Sequence, residues 1–323
     1  MSCSLCLGQY CLAHGVEGTE MNEAGSPTPF VHLHPDAVNV AKMDVQERIE
    51  YIKTDRWLPY RRANEILATL EELLSSPRVN RPQSMMLLAR SGNGKSHILR
   101  RFAETHPGQP NLHGLNIIAP VMLLETQPSA KERDLYRTIL YMLNCPMPRG
   151  SGVEECRDAA VSILRTVQIK VLLVDEVNNL LSASPARQRE YMFALKYLSN
   201  VLQISIVVAG TPESRQLIRL SDQLENRFRL ETLPIWNDIG ELRVLLANFE
   251  QVLPLREPSK LSRRSTASLI SSFNIETIGD VSALLSRAAV AALSAGEESI
   301  TEERLQGCAP MTRQSVKQML ANV

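Results

Sequence analysis

The chain has 323 residues, 44% of them apolar, and its 35 Lys and Arg balance 35 Asp and Glu. This is enough apolar material for a sizeable core, and a neutral whole-molecule field leaves any nucleic-acid contact to local basic clusters. No apolar run approaches the roughly 20 residues of a membrane span, and the N-terminus lacks a signal-peptide pattern, so a cytoplasmic protein is expected. In chain order, residues 1–41 are broken by Gly25, Pro27, Pro29 and Pro35 and are expected to be disordered. Cys3, Cys6, Cys11 and His14 fall in this stretch with a spacing that could supply four zinc ligands; a plain tail is the alternative. Residues 42–83 read as a helical lead-in: Val45, Ile49 and Ile52 have helical spacing, and a second helical stretch runs from Ala63 to Leu74. Residues 84–236 alternate strands near 85–89, 119–125, 171–176 and 204–209 with helical patterns near 129–144, 153–168 and 185–201, which predicts a parallel α/β sheet. Residues 237–306 turn all-helical, as a small lid would, and a last helical pattern near 312–322 lies in a tail of residues 307–323.

Two segments carry chemistry. Ala89-Arg90-Ser91-Gly92-Asn93-Gly94-Lys95-Ser96 follows the apolar run Met85–Leu88 and opens a helical stretch, the context a phosphate-binding loop needs. Gly92 and Gly94 can take φ > 0 and turn amide N–H groups inward, with Ser91 and Asn93 completing the cradle. Lys95 brings a charge to the β/γ-phosphates at a positive helix end, and Ser96 a hydroxyl for Mg²⁺. Ala89 stands where the usual pattern has its first Gly, and it is the smallest available replacement. The second segment, Val171-Leu172-Leu173-Val174-Asp175-Glu176, has four aliphatics that fit a strand buried on both faces and two acids at its C-terminal edge. Asp175 is expected in the Mg²⁺ shell, and Glu176 is expected to polarise the attacking water. ATP and Mg²⁺ are therefore the expected cofactors.

Several marks, taken in order, resemble the AAA+ ATPases and, among them, the TniB/TnsC family of transposition regulators, over roughly residues 43–305. They are Arg48-Ile49, then Asp55-Arg56-Trp57-Leu58-Pro59-Tyr60, then Leu173 to Leu180, then Val208-Ala209-Gly210-Thr211-Pro212, and finally Gln223-Leu224-Glu225-Asn226-Arg227-Phe228. The resemblance implies an AAA+ P-loop core with a helical lid and an assembly-dependent ATPase, and the departure from it at Ser282 implies slow turnover. It implies that Thr211 senses the γ-phosphate and that Arg227 is an arginine finger inserted into a neighbour's site, with Arg229 as its rival. Trp57 and Tyr60 would flank the adenine or serve as packing anchors. It further implies a hexameric or heptameric ring, or a helical filament, on duplex DNA without sequence preference, with a transposase and a TniQ-type target selector as partners. Lys131, Arg133, Arg137, Arg149 and Arg157 are the candidate DNA contacts; a solvated helix face is the alternative. Ser282 stands where many relatives have a lid Arg, so that contact is missing or passes to Arg287. A helicase or clamp loader and a non-hydrolysing nucleotide-dependent adaptor remain as other readings.

Overall fold

The computed structural model describes residues 30–310 apart from His113, Leu115 and Ala130. Three helices come first: α1 (Pro35–Ala41), α2 (Val45–Lys53) and α3 (Arg61–Ser75). The core follows with β1 (Ser84–Leu88), α4 (Lys95–Thr105), the short pair β2 (Gln109–Pro110) and β3 (Ile117–Ile118), and β4 (Val121–Glu125). It continues with α5 (Glu132–Met142), α6 (Val153–Thr166), β5 (Val171–Asp175), α7 (Pro185–Leu202) and β6 (Ser205–Gly210). Two single turns, α8 (Arg215–Ile218) and α9 (Asp222–Glu225), lead into β7 (Phe228–Thr232). The lid is α10 (Ile239–Val252), α11 (Arg264–Ser272), α12 (Ile278–Ser294) and α13 (Glu302–Gly307). The zinc spacing at Cys3, Cys6, Cys11 and His14 and the helical pattern near 312–322 lie outside the described residues. Among the described residues no helix is long and apolar enough to cross a membrane.

The five-stranded sheet has the order β4-β5-β6-β1-β7, and every pairing in it is parallel. The chain leaves β1 for the edge at β4 and returns strand by strand until β6 lies against β1; β7 then adds on the other side. This reversal opens a crevice beyond the carboxyl end of β1, where open α/β sheets bind ligands. Alternation sorts the sheet residues to two cores. Met85, Leu87, Val171, Leu173 and Val207 face a cluster shared with α3, α4 and the lid, whereas Met86, Leu88, Leu172, Val174 and Val208 face α5, α6 and α7. All five residues of β1 and of β5 are buried, so their aliphatic runs are uninterrupted. At about 1.5–3 kcal/mol for each buried aliphatic side chain, this double burial stiffens the strands that deliver the loop and the acids.

α3 joins the cluster beneath the sheet, with Ile66 and Leu70 fully buried; α2 adds Ile49 and Ile52 to the same cluster while packing on α12, and α1 packs on α10 of the lid. His34 N–H donates to the Gln251 carbonyl at 2.8 Å, and Arg256 Nε donates to the Ala41 carbonyl at 3.0 Å. The expectation of disorder through residue 41 is corrected: Pro35 starts α1, and a proline at the first helical position loses no hydrogen bond and already has the right φ.

The docking centres on Arg48, which is wholly buried. Its guanidinium donates to the Pro254 carbonyl at 2.9 and 2.7 Å and to both Glu298 oxygens at 3.0 and 2.5 Å. Those hydrogen bonds hold the Glu298 carboxyl below the ordinary 4.5, against the desolvation that raises it. A carboxyl depressed in the folded state stabilises it fully above 4.5, and that contribution is lost as the pH falls through the lower folded value. Hydrogen-exchange protection of the α2 amides is therefore expected to fall selectively below pH 4.5, and Glu298→Gln to flatten this dependence.

Candidate functional site

The crevice at β1 is built by the glycine loop. Gly92 has φ 74° and Gly94 φ 85°, left-handed values that a side chain would strain. Gly94 is also the N-cap of α4, so the first amides of this 11-residue helix face the crevice with no side chain over them. Ala89 is not among the positive-φ residues and its methyl is buried in the core, so the missing first Gly costs the loop no strain. Lys95 is 5% exposed, and its ammonium donates to the loop's own carbonyls, Ala89 at 2.9 Å and Arg90 at 3.1 Å. Burial pulls its pKa down, while the charges of Glu176 and Asp175 pull it back up.

The acids arrive on β5. Asp175 is 7% exposed and accepts the Glu176 N–H at 2.8 Å. Glu176 sits at φ 53°, a conformation costing of order 1–3 kcal/mol in a non-glycine residue, which turns the chain sharply at the sheet edge. Its carboxylate accepts a hydrogen bond from Asn178 Nδ2 at 2.9 Å, while Asn178 Oδ1 is buried without a partner. Asn179 Nδ2 donates to the Thr126 carbonyl at 2.9 Å, pinning this turn to the end of β4. Asn178 was not among the expected site residues; its place two positions after Glu176 was the available signal.

The loop, the segment Ile52–Tyr60 and the lid enclose a cavity of about 540 Å³, which matches a nucleotide-sized ligand. Its lining includes Trp57, Tyr60, Ser91, Gly92, Asn93, Gly94, Lys95, Ser96 and Glu176, with Asp175 close enough to act on the Lys95 charge. Tyr60 stands edge-on to Trp236, ring centroids 5.3 Å apart, and burial pushes its phenol up to about 12. Ser96 and Asp175 offer hard oxygen donors, which suit a Mg²⁺ ion that also takes phosphate oxygens and water. The lid contributes Ser282 and Ser286. Arg287 does not take over the missing lid contact: its guanidinium donates to the Cys308 carbonyl at 3.1 Å, because it projects from the far side of α12 toward α13. A larger and more open hollow of about 710 Å³, between α6 and α7, has neither a glycine loop nor a strand-end acid on its wall.

Thr211 follows β6 but does not line the cavity; its hydroxyl engages the Glu213 carboxyl and helps hold it below the usual carboxylate range. Arg227 lies elsewhere. It immediately precedes β7, whose first residue pairs with Ser84 at the start of β1, so it sits at the amino edge of the sheet. The five-residue β1 puts about 16 Å between that edge and the loop. Arg227 donates to Asn200 Oδ1 at 2.6 Å, and its second terminal nitrogen is buried without a partner. Burial, and then the charge of Arg81, lower its pKa. Arg229 instead pairs with Glu231 at 2.6 Å. Among the basic candidates, Lys131, Arg133 and Arg137 belong to the start and body of α5, and Arg149 to the loop before α6. Arg157 is turned toward α7, 5.4 Å from the Tyr197 ring.

A glycine loop and an acidic strand end at the crevice of such a parallel sheet, roofed by helices, make a phosphate-binding-loop fold of the AAA+ type. Solved structures agree on the fold. ORC2 of Aeropyrum pernix (ADPNP-ADP complexes) is 17% identical, with 83% of this chain and 74% of that one covered and a TM-score of 0.58. Cdc6p of Pyrobaculum aerophilum is 18% identical, covering 83% and 70%, with a TM-score of 0.55. ORC1 of Aeropyrum pernix in complex with DNA is 15% identical, covering 80% and 68%, with a TM-score of 0.53. No curated protein sequence matches. The family model described as "Bacterial TniB protein" matches residues 48–238, more than half of the chain, and the chain belongs to the TniB family.

Proposed function

We propose that this protein is an ATP-dependent, DNA-binding regulator of transposition, which assembles on target duplex DNA and recruits or activates a transposase together with a TniQ-type target selector. Membership of the TniB family supports the transposition role, and the likeness in fold to an ORC1 protein in complex with DNA supports a DNA ligand. The observation that supports assembly is the position of Arg227: at the opposite sheet edge from its own loop, it is out of reach of its own nucleotide, so any nucleotide it serves is held by a neighbouring subunit. A ring or a filament satisfies this geometry.

In this reading the amides after Gly94 and the Lys95 ammonium, released from the Ala89 and Arg90 carbonyls, hold the β- and γ-phosphates. Ser96 and Asp175 hold Mg²⁺, which neutralises phosphate charge when bound. Glu176 accepts the proton of the water whose oxygen attacks the γ-phosphorus, while the bond from that phosphorus to the bridging oxygen of ADP breaks. The neighbour's Arg227 stabilises charge on the transferring group, a service worth about 10³–10⁵ in rate where trans-acting arginines operate. Trp57 and Tyr60 bound the base end. Lys131, Arg133, Arg137, Arg149 and Arg157 contact DNA phosphates, and the repetition of a few contacts per subunit along an assembly compensates for the zero net charge.

Sedimentation and imaging with duplex DNA, with and without a non-hydrolysable ATP analogue, test this directly. Nucleotide-dependent rings or filaments are expected; a monomer that ignores DNA at saturating nucleotide sinks the proposal. Mixing Arg227→Ala protein with Lys95→Ala protein is expected to restore hydrolysis that neither has alone, because some interfaces then pair an intact finger with an intact loop. A silent mixture would remove Arg227 from the trans role.

A further inference from the structure

Asn93 lies between the two left-handed glycines, where its type and position suggest a ligand contact. Its side chain is engaged otherwise. At 2% exposure, its Nδ2 donates to the Pro234 carbonyl at 2.7 Å, and its Oδ1 accepts the Ile278 N–H at 3.2 Å. One amide thus joins the phosphate loop, the connector after β7 and the first turn of α12. Two further contacts reinforce the joint. Gly279 N–H donates to the Gly92 carbonyl at 2.9 Å, and Arg90 forms an ion pair with Glu276. A Cβ on Gly279 would lie 2.6 Å from the Gly92 oxygen, so only glycine allows this approach.

The first amides of a helix have no partner within it. In α12 the Thr277 hydroxyl accepts one of them, from Asp280, at 3.2 Å, while the loop backbone and Asn93 accept those of Gly279 and Ile278. The lid helix is therefore capped in part by the phosphate loop. α12 also carries Ser282 and Ser286 on the cavity wall, so the conformation of the loop fixes where that wall stands. Asparagine is required because one short side chain must both donate and accept. Aspartate keeps the acceptor but opposes the Pro234 carbonyl, and alanine keeps neither.

We propose that Asn93, with Gly279, is a positioning residue that couples nucleotide occupancy of the loop to the placement of the lid helix α12. The coupling rests on the ATPase reading only for its effect on turnover; its structural half stands on nucleotide binding alone. Since backbone amides and Lys95 hold the phosphates, the side chain of Asn93 contributes little to affinity and much to the geometry of the closed site.

The test compares Asn93→Ala, Asn93→Asp and Gly279→Ala with the unaltered full-length protein. It reads affinity for a fluorescent ATP analogue, single-turnover hydrolysis and hydrogen exchange of the amides from Ile278 to Ala283, with and without a non-hydrolysable ATP analogue. The expected result for Asn93→Ala is affinity within about 3-fold, hydrolysis down by about 10-fold or more, as a site misplaced by a fraction of an ångström loses rate, and no nucleotide-induced protection of the α12 amides. Asn93→Asp is expected to show the same split, and Gly279→Ala to reproduce it from the lid side. Glu276→Gln, a change at an exposed pair, is expected to weaken the nucleotide-induced protection without unfolding the chain, and so keeps the test readable if Asn93→Ala does not fold. Loss of nucleotide affinity in Asn93→Ala would make Asn93 a direct ligand contact and overturn the proposal, as would unaltered protection in all the variants. Absence of hydrolysis in the unaltered protein would sink the ATPase reading instead, leaving the exchange readout to decide the coupling.

Discussion

Replacing Glu176 by Gln is expected to slow phosphate release by about 10²–10⁴-fold, the contribution of a positioned general base, while leaving ATP binding intact. Gln keeps the length of the side chain and can still contact Asn178 Nδ2, which now holds Glu176 at 2.9 Å, so the turn after β5 should keep its shape. Only the basicity is removed. On the proposed function, Asp175 and Ser96 still hold the Mg-nucleotide in this variant, so the nucleotide should remain bound and the proposed assembly on DNA should outlast that of the unaltered protein. A single-turnover phosphate assay beside a DNA dissociation assay checks both halves. Unchanged phosphate release would remove Glu176 from catalysis and leave the nucleotide as adhesive between subunits.

Arg48→Ala is expected to destabilise the folded chain by about 3 kcal/mol, the cost of removing one partner from a buried ion pair. Four hydrogen bonds to Pro254 and Glu298 are lost at once; the Pro254 carbonyl loses both its Arg48 donors, and the Glu298 carboxylate keeps Arg256, whose N–H it accepts at 3.1 Å. The effect should be greatest at α1, α2 and the lid segments around Pro254 and Glu298, since α3 and the sheet make none of these four hydrogen bonds. Urea denaturation with a double-mutant cycle against Glu298→Ala measures it. A change below about 0.5 kcal/mol, the size of an ordinary surface substitution, would show that the docking of α2 contributes nothing.

The parallel core and its glycine loop were legible because the physics there is local. A strand buried on both faces must read as a continuous aliphatic run, as Met85–Leu88 and Val171–Val174 do, and the loop's glycines have a fixed spacing. β7 was hidden behind the Arg227-Phe228 segment: it is an edge strand whose Arg229 and Leu230 are exposed, so Phe228–Thr232 carries little aliphatic signal. The two-residue strands β2 and β3 are too short for any periodicity. α1 was masked by reading Pro35 as a breaker rather than a starter. Side-chain destinations were the least legible. Asn93 reaches partners 141 and 185 residues away, Arg287 turns to Cys308, and the Thr211 hydroxyl is claimed by Glu213. Long-range choices of this kind depend on how the lid lands on the core, which no short window of sequence encodes.

The clasp between Arg48 and Glu298 spans 250 positions, and its companion at Pro254 spans 206. During synthesis, at about 5–20 residues per second, the sheet can therefore form while α1 and α2 trail unattached for many seconds until the lid emerges from the ribosome. Closing so large a loop is among the slowest contacts this topology demands. The nascent molecule thus passes through a stage in which the phosphate loop exists but its roof does not, and α1 and α2, made before the sheet, find their place only after it.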